Sequence, residues 1–246
     1  MTQKQYSVRI YVEADLKTGA GVVLDKAQAH YIRTVMRRQP GDNILLFNGR
    51  DGEWLGQIDE VRKSHVLVGV LDCLREQVAG VDIQLVFAPV KKAQNALILQ
   101  KATELGVSAL APVQSIRTNA DHLREDKMHL QVIEAAEQCE RLTIPAIYQT
   151  QKLEAMLSSI EDDRALIFCY ERSDECNPVA ALQQVKEFQK FAVLVGPEGG
   201  FTDEERENIV KCDNTHILGL GPRILRAETA VISALTLVQS VCGDWR

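Results

Sequence analysis

Two glycine-rich loops hold the residue types best able to do chemistry. The first is Gly196-Pro197-Glu198-Gly199-Gly200, directly after the apolar run Phe191-Ala192-Val193-Leu194-Val195. It precedes Thr202-Asp203-Glu204-Glu205, a capping box that opens a helix. Its glycines therefore sit at the carboxyl end of a buried-type strand, where open α/β sheets bind ligands. Glycine there lets a ligand approach the backbone closely. The loop lacks the closing Gly-Lys-Ser/Thr of a Walker A motif. The second loop is Gly219-Leu220-Gly221-Pro222-Arg223-Ile224-Leu225-Arg226-Ala227-Glu228-Thr229. It begins as a dinucleotide fingerprint does, but Ile224 holds the third glycine position. It also sits on the last strand-to-helix turn instead of the first, so a nicotinamide-dinucleotide reading fails twice. Two such loops on successive strands would line one cleft.

Arg223, Arg226 and Glu228 stand among Ile, Leu, Ala and Thr in the second loop. Charges at such a turn are costly unless paired or used. Arg226 and Glu228 are too close in sequence to face each other on a helix. They either face a ligand or join a structural salt-bridge network with Glu198 or Glu104.

Alternating strands and helices must position these loops. Asp82 to Val90, Val107 to Val113, Ala165 to Tyr170, Phe191 to Val195 and Thr215 to Leu218 read as strands. Helices are expected over Lys92 to Leu105 with Gly106 as C-cap, Lys127 to Arg141, from Pro178, Thr202 to Lys211 and Arg226 to Cys242. The strands are apolar on both faces, which predicts a mostly parallel sheet covered by helices. The N-terminal third differs. Ser7 to Val12, Gly21 to Leu24, Asn43 to Phe47, Glu53 to Val61 and His65 to Leu71 read as strands, with turns at Asn48-Gly49 and Asp51-Gly52. One helix, Asp25 to Arg38, interrupts them before Pro40-Gly41. That pattern predicts a small β-barrel. The expected division is residues 1–75 and 80–246, and no internal repeat is visible.

The 246 residues, 46% of them apolar, can bury a substantial core, and 25% charged residues exclude global disorder. No apolar run approaches the roughly 20 residues of a membrane span, and Met1 to Tyr6 lacks a secretory stretch. Net charge is −6, divided as +2 over residues 1–75 and −8 over the rest, so the N-terminal third is the more basic part, an asymmetry that points to a local anion-binding face. Cys73, Cys139, Cys169, Cys176, Cys212 and Cys242 form no C-x-x-C pair. They read as reduced core thiols of a cytoplasmic protein. His122 and His129 could share a helix face but form no metal cluster with cysteine, so no metal is expected.

The two loops, taken as Val195 to Thr202 and Leu218 to Ala230, resemble the signature of the SPOUT methyltransferases. More closely they resemble the RsmE family, which methylates N3 of a uridine in 16S ribosomal RNA. Leu99 to Val107, Glu134 to Arg141, Ala29 to Arg37 and Pro40-Gly41-Asp42 match it too, so the resemblance spans nearly the whole chain. Ser7-Val8-Arg9-Ile10-Tyr11 starts a few residues later than the family's early Arg-x-Phe/Tyr, which puts the role of Arg9 in question.

The resemblance implies a C-terminal α/β domain ending in a deep trefoil knot, behind a PUA-like RNA-gripping domain. It implies a homodimer with S-adenosyl-L-methionine bound near the subunit interface, acting on 16S rRNA or the small ribosomal subunit. The implied cofactor residues are Leu194, Gly196, Glu198, Gly199, Leu218, Gly219, Leu220, Gly221, Ile224, Leu225, Arg226 and Thr229. Arg226 would hold the uridine or its developing anion, and Glu228 or Glu198 would accept the proton. Arg9, Arg33, Arg37, Arg38, Arg50 and Lys63 are candidates to grip RNA, with Arg117 and Arg141 near the cleft. Arg33 and Arg37, four apart, would share a helix face. The rival readings are a SPOUT enzyme acting on a ribose 2′-hydroxyl or a tRNA base, and a catalytically silent RNA-binding or ribosome-assembly protein.

Overall fold

A computed structural model describes residues 8–119, 123–171 and 177–245, so Ser7, His122 and Cys176 lie outside the described residues. The chain forms two compact units, residues 1–79 with 136–144, and residues 80–135 with 145–246.

The first unit holds β1 (Arg9–Tyr11), β2 (Gly21–Leu24), β3 (Asn43–Phe47), β4 (Glu53–Val61) and β5 (Val66–Arg75), in the order β1-β3-β4-β5-β2. β1 runs parallel to β3 and the other pairs are antiparallel. Inward residues such as Ile10, Leu24, Ile44, Leu46, Ile58 and Val68 form one core. The expected Asn-Gly and Asp-Gly turns put Gly49 and Gly52 at φ +82° and +88°.

The helix expected over Asp25 to Arg38 ends early. Asp25 and Gln28 make a reciprocal capping box that starts α1 (Lys26–His30). A π-helical turn, Tyr31–Val35, follows it, with Met36 N–H donating to the Tyr31 carbonyl at 2.9 Å. Arg37 then adopts φ +54°, and Arg38 N–H closes back on the Ile32 carbonyl at 3.0 Å. β-branched Ile32, Thr34 and Val35 are poor at holding a tight helix, and Ile32 is pulled fully into the core. Arg37 therefore lies past the helix end and does not share a regular helix face with Arg33.

Arg9 needs a larger correction. Its Nε donates to Glu53 Oε1 at 2.5 Å, its Nη1 to the Ala136 carbonyl and its Nη2 to the Arg141 carbonyl, both at 2.7 Å. The guanidinium carbon lies 3.5 Å from the Phe47 ring centroid. With 6% of its side chain exposed, Arg9 has no face left for a phosphate. Burial alone would lower its pKa, and the Glu53 carboxylate opposes that shift. Arg9 is the post on which residues 136–144 hang within this unit.

The second unit is built on seven strands: β6 (Asp82–Phe87), β7 (Ala109–Gln114), β8 (Ala146–Ile147), β9 (Gln151–Lys152), β10 (Arg164–Cys169), β11 (Lys190–Val195) and β12 (Thr215–Leu218). Their order is β12-β10-β11-β6-β7-β8, with β9 also beside β7, and every pair is parallel. The helices are α2 (Lys92–Glu104), α3 (Glu125–Cys139), α4 (Leu153–Ser158), α5 (Pro178–Gln183), α6 (Asp203–Lys211) and α7 (Ala227–Val241). Leu153 and Met156 of α4 and Ile209 of α6 pack with Leu166, Phe168, Ala192 and Leu194 in one cluster. Successive strand residues point to opposite faces, and helices are needed on both. α7 packs against β11, α2 and α5. Buried Gln239 of α7 donates to the Leu105 carbonyl at 2.7 Å. The expected C-cap Gly106 adopts φ +81°, and a Cβ there would lie 2.7 Å from Gln239 Nε2.

Among the described residues, no helix is long and apolar enough to cross a membrane. Cys169 and Cys242 are buried and Cys139 and Cys212 half-buried, but Cys73 is exposed, on the part of β5 that runs beyond the core. The reading of all the cysteines as core thiols therefore fails at Cys73.

Candidate active site

The carboxyl ends of three neighbouring parallel strands form one cleft. β10 contributes Cys169, followed by Tyr170 and Glu171. β11 contributes Val195, followed by the first glycine loop, and the loop after β12 contributes Leu220, Gly221, Arg223, Ile224 and Leu225. Ala227 and Ala230 of α7 close it. This is the crevice in which open α/β sheets bind ligands.

Local chemistry fixes the first loop. Gly200 turns at φ +65°, with its N–H on the Pro197 carbonyl at 2.8 Å. A Cβ at Gly196 would sit 2.7 Å from Phe201 Cε2, so only glycine fits over that ring. Phe201 is buried and packs edge-on to Phe168, which stacks on Tyr170. The expected capping box is present: Thr202 Oγ1 accepts from Glu205 N–H at 3.2 Å, and Glu205 Oε2 accepts from Thr202 N–H at 2.8 Å. Arg206 donates to the Phe201 carbonyl at 2.8 Å. Arg117 reaches in from the loop after β7 and donates to the Gly199 carbonyl at 3.0 Å.

Of the cofactor candidates, Gly196, Glu198, Gly199, Leu220, Gly221, Ile224 and Leu225 line this cleft. Leu194 does not, because its side chain belongs to the core cluster beneath the sheet. Leu218, Gly219, Arg226 and Thr229 also lie outside the lining. Leu218 is buried in β12, whereas Arg226 and Thr229 are exposed. Arg226 is the N-cap of α7 and Glu228 lies in its first turn, where a carboxylate suits the helix dipole. Glu228 Oε2 is buried without a hydrogen-bond partner, a costly state. The salt-bridge network considered for this loop is not formed among the described residues. Glu104 pairs instead with Lys101 at 2.8 Å.

No local motif marks the β10 wall. Its one sequence signal is that Ala165 to Tyr170 reads as a buried-type strand, and every strand end in a parallel sheet is a candidate. Burial pushes the Cys169 thiol up to about 12, so this cleft residue is no thiolate nucleophile at neutral pH.

The candidates for gripping RNA scatter. Arg33 and Lys63 share a cavity with Lys26 and His30 in the first unit. Exposed Arg50 pairs with Asp15 at 2.8 Å. Arg38 is half-buried, and Arg141 places Nη2 on Thr143 Oγ1 at 2.7 Å within the first unit. Among the described residues no cluster could hold a metal ion.

The fold and cleft are those of an RNA methyltransferase carrying a PUA domain. Residues 78–239 match the RNA methyltransferase domain model, and residues 24–71 match the RNA methyltransferase PUA domain model. The ribosomal RNA small subunit methyltransferase E of Rickettsia conorii is 32% identical over 232 residues, covering 94% of each chain. The Bacillus subtilis protein of the same name is 29% identical over 86% of each chain. A ribosomal RNA small subunit methyltransferase E from Neisseria gonorrhoeae, solved bound to S-adenosyl methionine, superposes with a TM-score of 0.81. It is 26% identical, with 97% of this chain and 99% of that chain covered. A Legionella pneumophila protein solved with the bound cofactor SAM gives a TM-score of 0.83 at 29% identity, over 96% and 98%. The chain belongs to the ribosomal RNA small subunit methyltransferase E family, RsmE.

Proposed function

We propose that this chain transfers a methyl group from S-adenosyl-L-methionine to N3 of a uridine in the 16S rRNA of the small ribosomal subunit. The observation that carries the reading is the glycine-lined cleft at the ends of β10, β11 and β12, in a chain of this family. The cleft suits the cofactor chemically. Backbone groups of Gly196, Gly199 and Gly221 can meet adenine and ribose, with Leu220, Leu225 and Ala230 supplying apolar contact. The carboxylates of Glu171 and Glu198 suit a cationic ligand. S-adenosyl-L-methionine supplies an activated methyl group on a sulfonium.

Uridine N3 carries an imide proton and is a poor nucleophile while it holds it. The chain must take that proton and hold the base in line. Glu198 lines the cleft and is the better-placed acceptor, whereas Glu228 acts as a positioning residue at the start of α7. Exposed Arg226, beside the cleft, holds the uridine and stabilises its developing anion. N3 is occupied in a duplex, so the base is presented single-stranded or extruded.

One chain encloses about 220 Å³ of this cleft, below the roughly 300–1,000 Å³ of small-molecule pockets. Ile224, a lining residue, is 81% exposed. Both features support a homodimer in which a second copy covers the cofactor. The segment from β12 into α7 is the one that would thread the trefoil knot. An rRNA substrate implies work in the cytoplasm.

The test is nucleoside mass spectrometry of 16S rRNA from unmodified small subunits incubated with enzyme and cofactor. 3-Methyluridine is expected, and Arg226→Ala should fold normally and lose it. A ribose 2′-O-methyl product would replace the target, and full turnover by the variant would remove Arg226 from the mechanism.

A further inference from the structure

A second cavity in the second unit encloses about 660 Å³ between the start of α2 and the start of α3. Among the described residues its charged lining is cationic, namely Lys91, Lys92, Arg124 and Lys127. Arg124 is held by Asp126 at 2.6 Å. The three lysines have no ion pair among the described residues. A bridging cavity shares Val90, Lys91 and Asn119 with this one, and Pro197, Glu198 and Gly199 with the cofactor cleft. Arg117 lines the bridge and anchors to Gly199. A continuous path thus runs from the glycine loop to Lys127, lined by Arg117, Lys91, Lys92 and Lys127 and, at its glycine-loop end, by Glu198.

The start of α2 breaks the rules for a helix start. Lys91 is its N-cap and makes no side-chain cap, Lys92 is its first residue, and its first turn has no acidic residue. Cations there oppose the helix dipole, and the N-cap side chain offers the first amides no acceptor. Asp25, Asn177 and Thr202 cap their helices with a side chain, whereas Lys152 and Arg226, at the starts of α4 and α7, do not. The awkward start is also held rigidly. Buried Asn95 accepts from Val90 N–H at 2.9 Å and donates to the Val90 carbonyl at 2.6 Å. Lys91 and Lys92 are thus held in place at a helix start that they do not cap.

We propose that this groove is the track for the single-stranded RNA flanking the target uridine, with Lys91, Lys92 and Lys127 neutralising successive phosphates. The proposal rests on the methyltransferase reading for its substrate. Separate point charges along an elongated path fit a polyanion better than one compact anion. The net negative charge of residues 76–246 makes this patch the more distinctive, because steering depends on local charge.

The test compares the full-length wild type with the K91A/K92A/K127A variant. The lysines are exposed, so the fold and affinity for S-adenosyl-L-methionine should be unchanged. The slope of log affinity for a single-stranded RNA oligonucleotide against log salt should fall by about 2, given roughly 0.7 per phosphate contact. The KM for small subunits should rise at least about tenfold, with a much smaller effect on kcat, and the triple Arg variant should behave as wild type. An unchanged slope and KM would overturn the track. Displacement of RNA by millimolar inorganic phosphate from wild type alone would also overturn it, in favour of a small-anion site. If the wild type methylates no rRNA, the function fails, while the salt slope still decides the groove.

Discussion

Glu205, in the first turn of α6, accepts a hydrogen bond at 2.7 Å from the backbone N–H of Ile116, 89 residues earlier. Its other oxygen caps Thr202. One buried carboxylate therefore ties the loop that carries Arg117 to the helix that follows the glycine loop. Glu205→Ala would remove the acceptor of two part-buried N–H groups, at about 1 kcal/mol each. Thermal unfolding should show a loss of several degrees. Calorimetric titration should show weaker S-adenosyl-L-methionine binding, because the cleft wall loses its anchor. An unchanged melting temperature would remove Glu205 from this role.

Arg9 gives a contrasting expectation. Glu53 is only 2% exposed, and its second contact, Arg75, lies at 3.5 Å. Arg9→Ala leaves a carboxylate buried with little compensation, at about 3–5 kcal/mol. Urea unfolding should show that loss, with the salt dependence of RNA binding unchanged. A stable variant with weakened RNA affinity would restore Arg9 to the RNA-gripping set.

Asp82 sets an acid limit on the second unit. Burial alone would raise its pKa, but hydrogen bonds from Arg164 at 2.9 Å and Ser108 at 2.8 Å outweigh it and hold the carboxyl below its ordinary 3.8. A depressed folded pKa stabilises the native state above the unfolded value and loses that contribution as pH falls through the folded one. Melting temperature should therefore drop below about pH 4, near the ordinary Asp value. Asp82→Asn should flatten that limb and lower stability near pH 7. Parallel acid limbs in the two proteins would contradict the assignment.

Much of the second unit is legible in the sequence because local rules and tertiary context agree there. Thr202 and Glu205 announce α6, Pro178 starts α5, and the apolar runs give strands that must be buried on both faces. The π-helical turn at Tyr31–Val35 is not legible, because it is imposed when the core draws in Ile32. Arg9 misleads because a charged residue near a basic terminus looks like a phosphate ligand until Glu53 and the 136–144 carbonyls surround it. Tyr170 and Glu171 carry no signal of their own, because strand adjacency decides their place in the cleft. β10 meets β11 and β12 only once the sheet order is known.

The central claim is that the glycine loops form the cofactor site. The most direct measurement is calorimetric titration of wild type and Gly196→Ala with S-adenosyl-L-methionine. A methyl group at 196 would press on Phe201 at 2.7 Å and push the loop out of place. The expected result is saturable binding by the wild type, at no more than one site per chain, and at least about tenfold weaker binding by the variant, a difference of about 1.4 kcal/mol. No binding by the wild type, or equal binding by both proteins, would contradict the account.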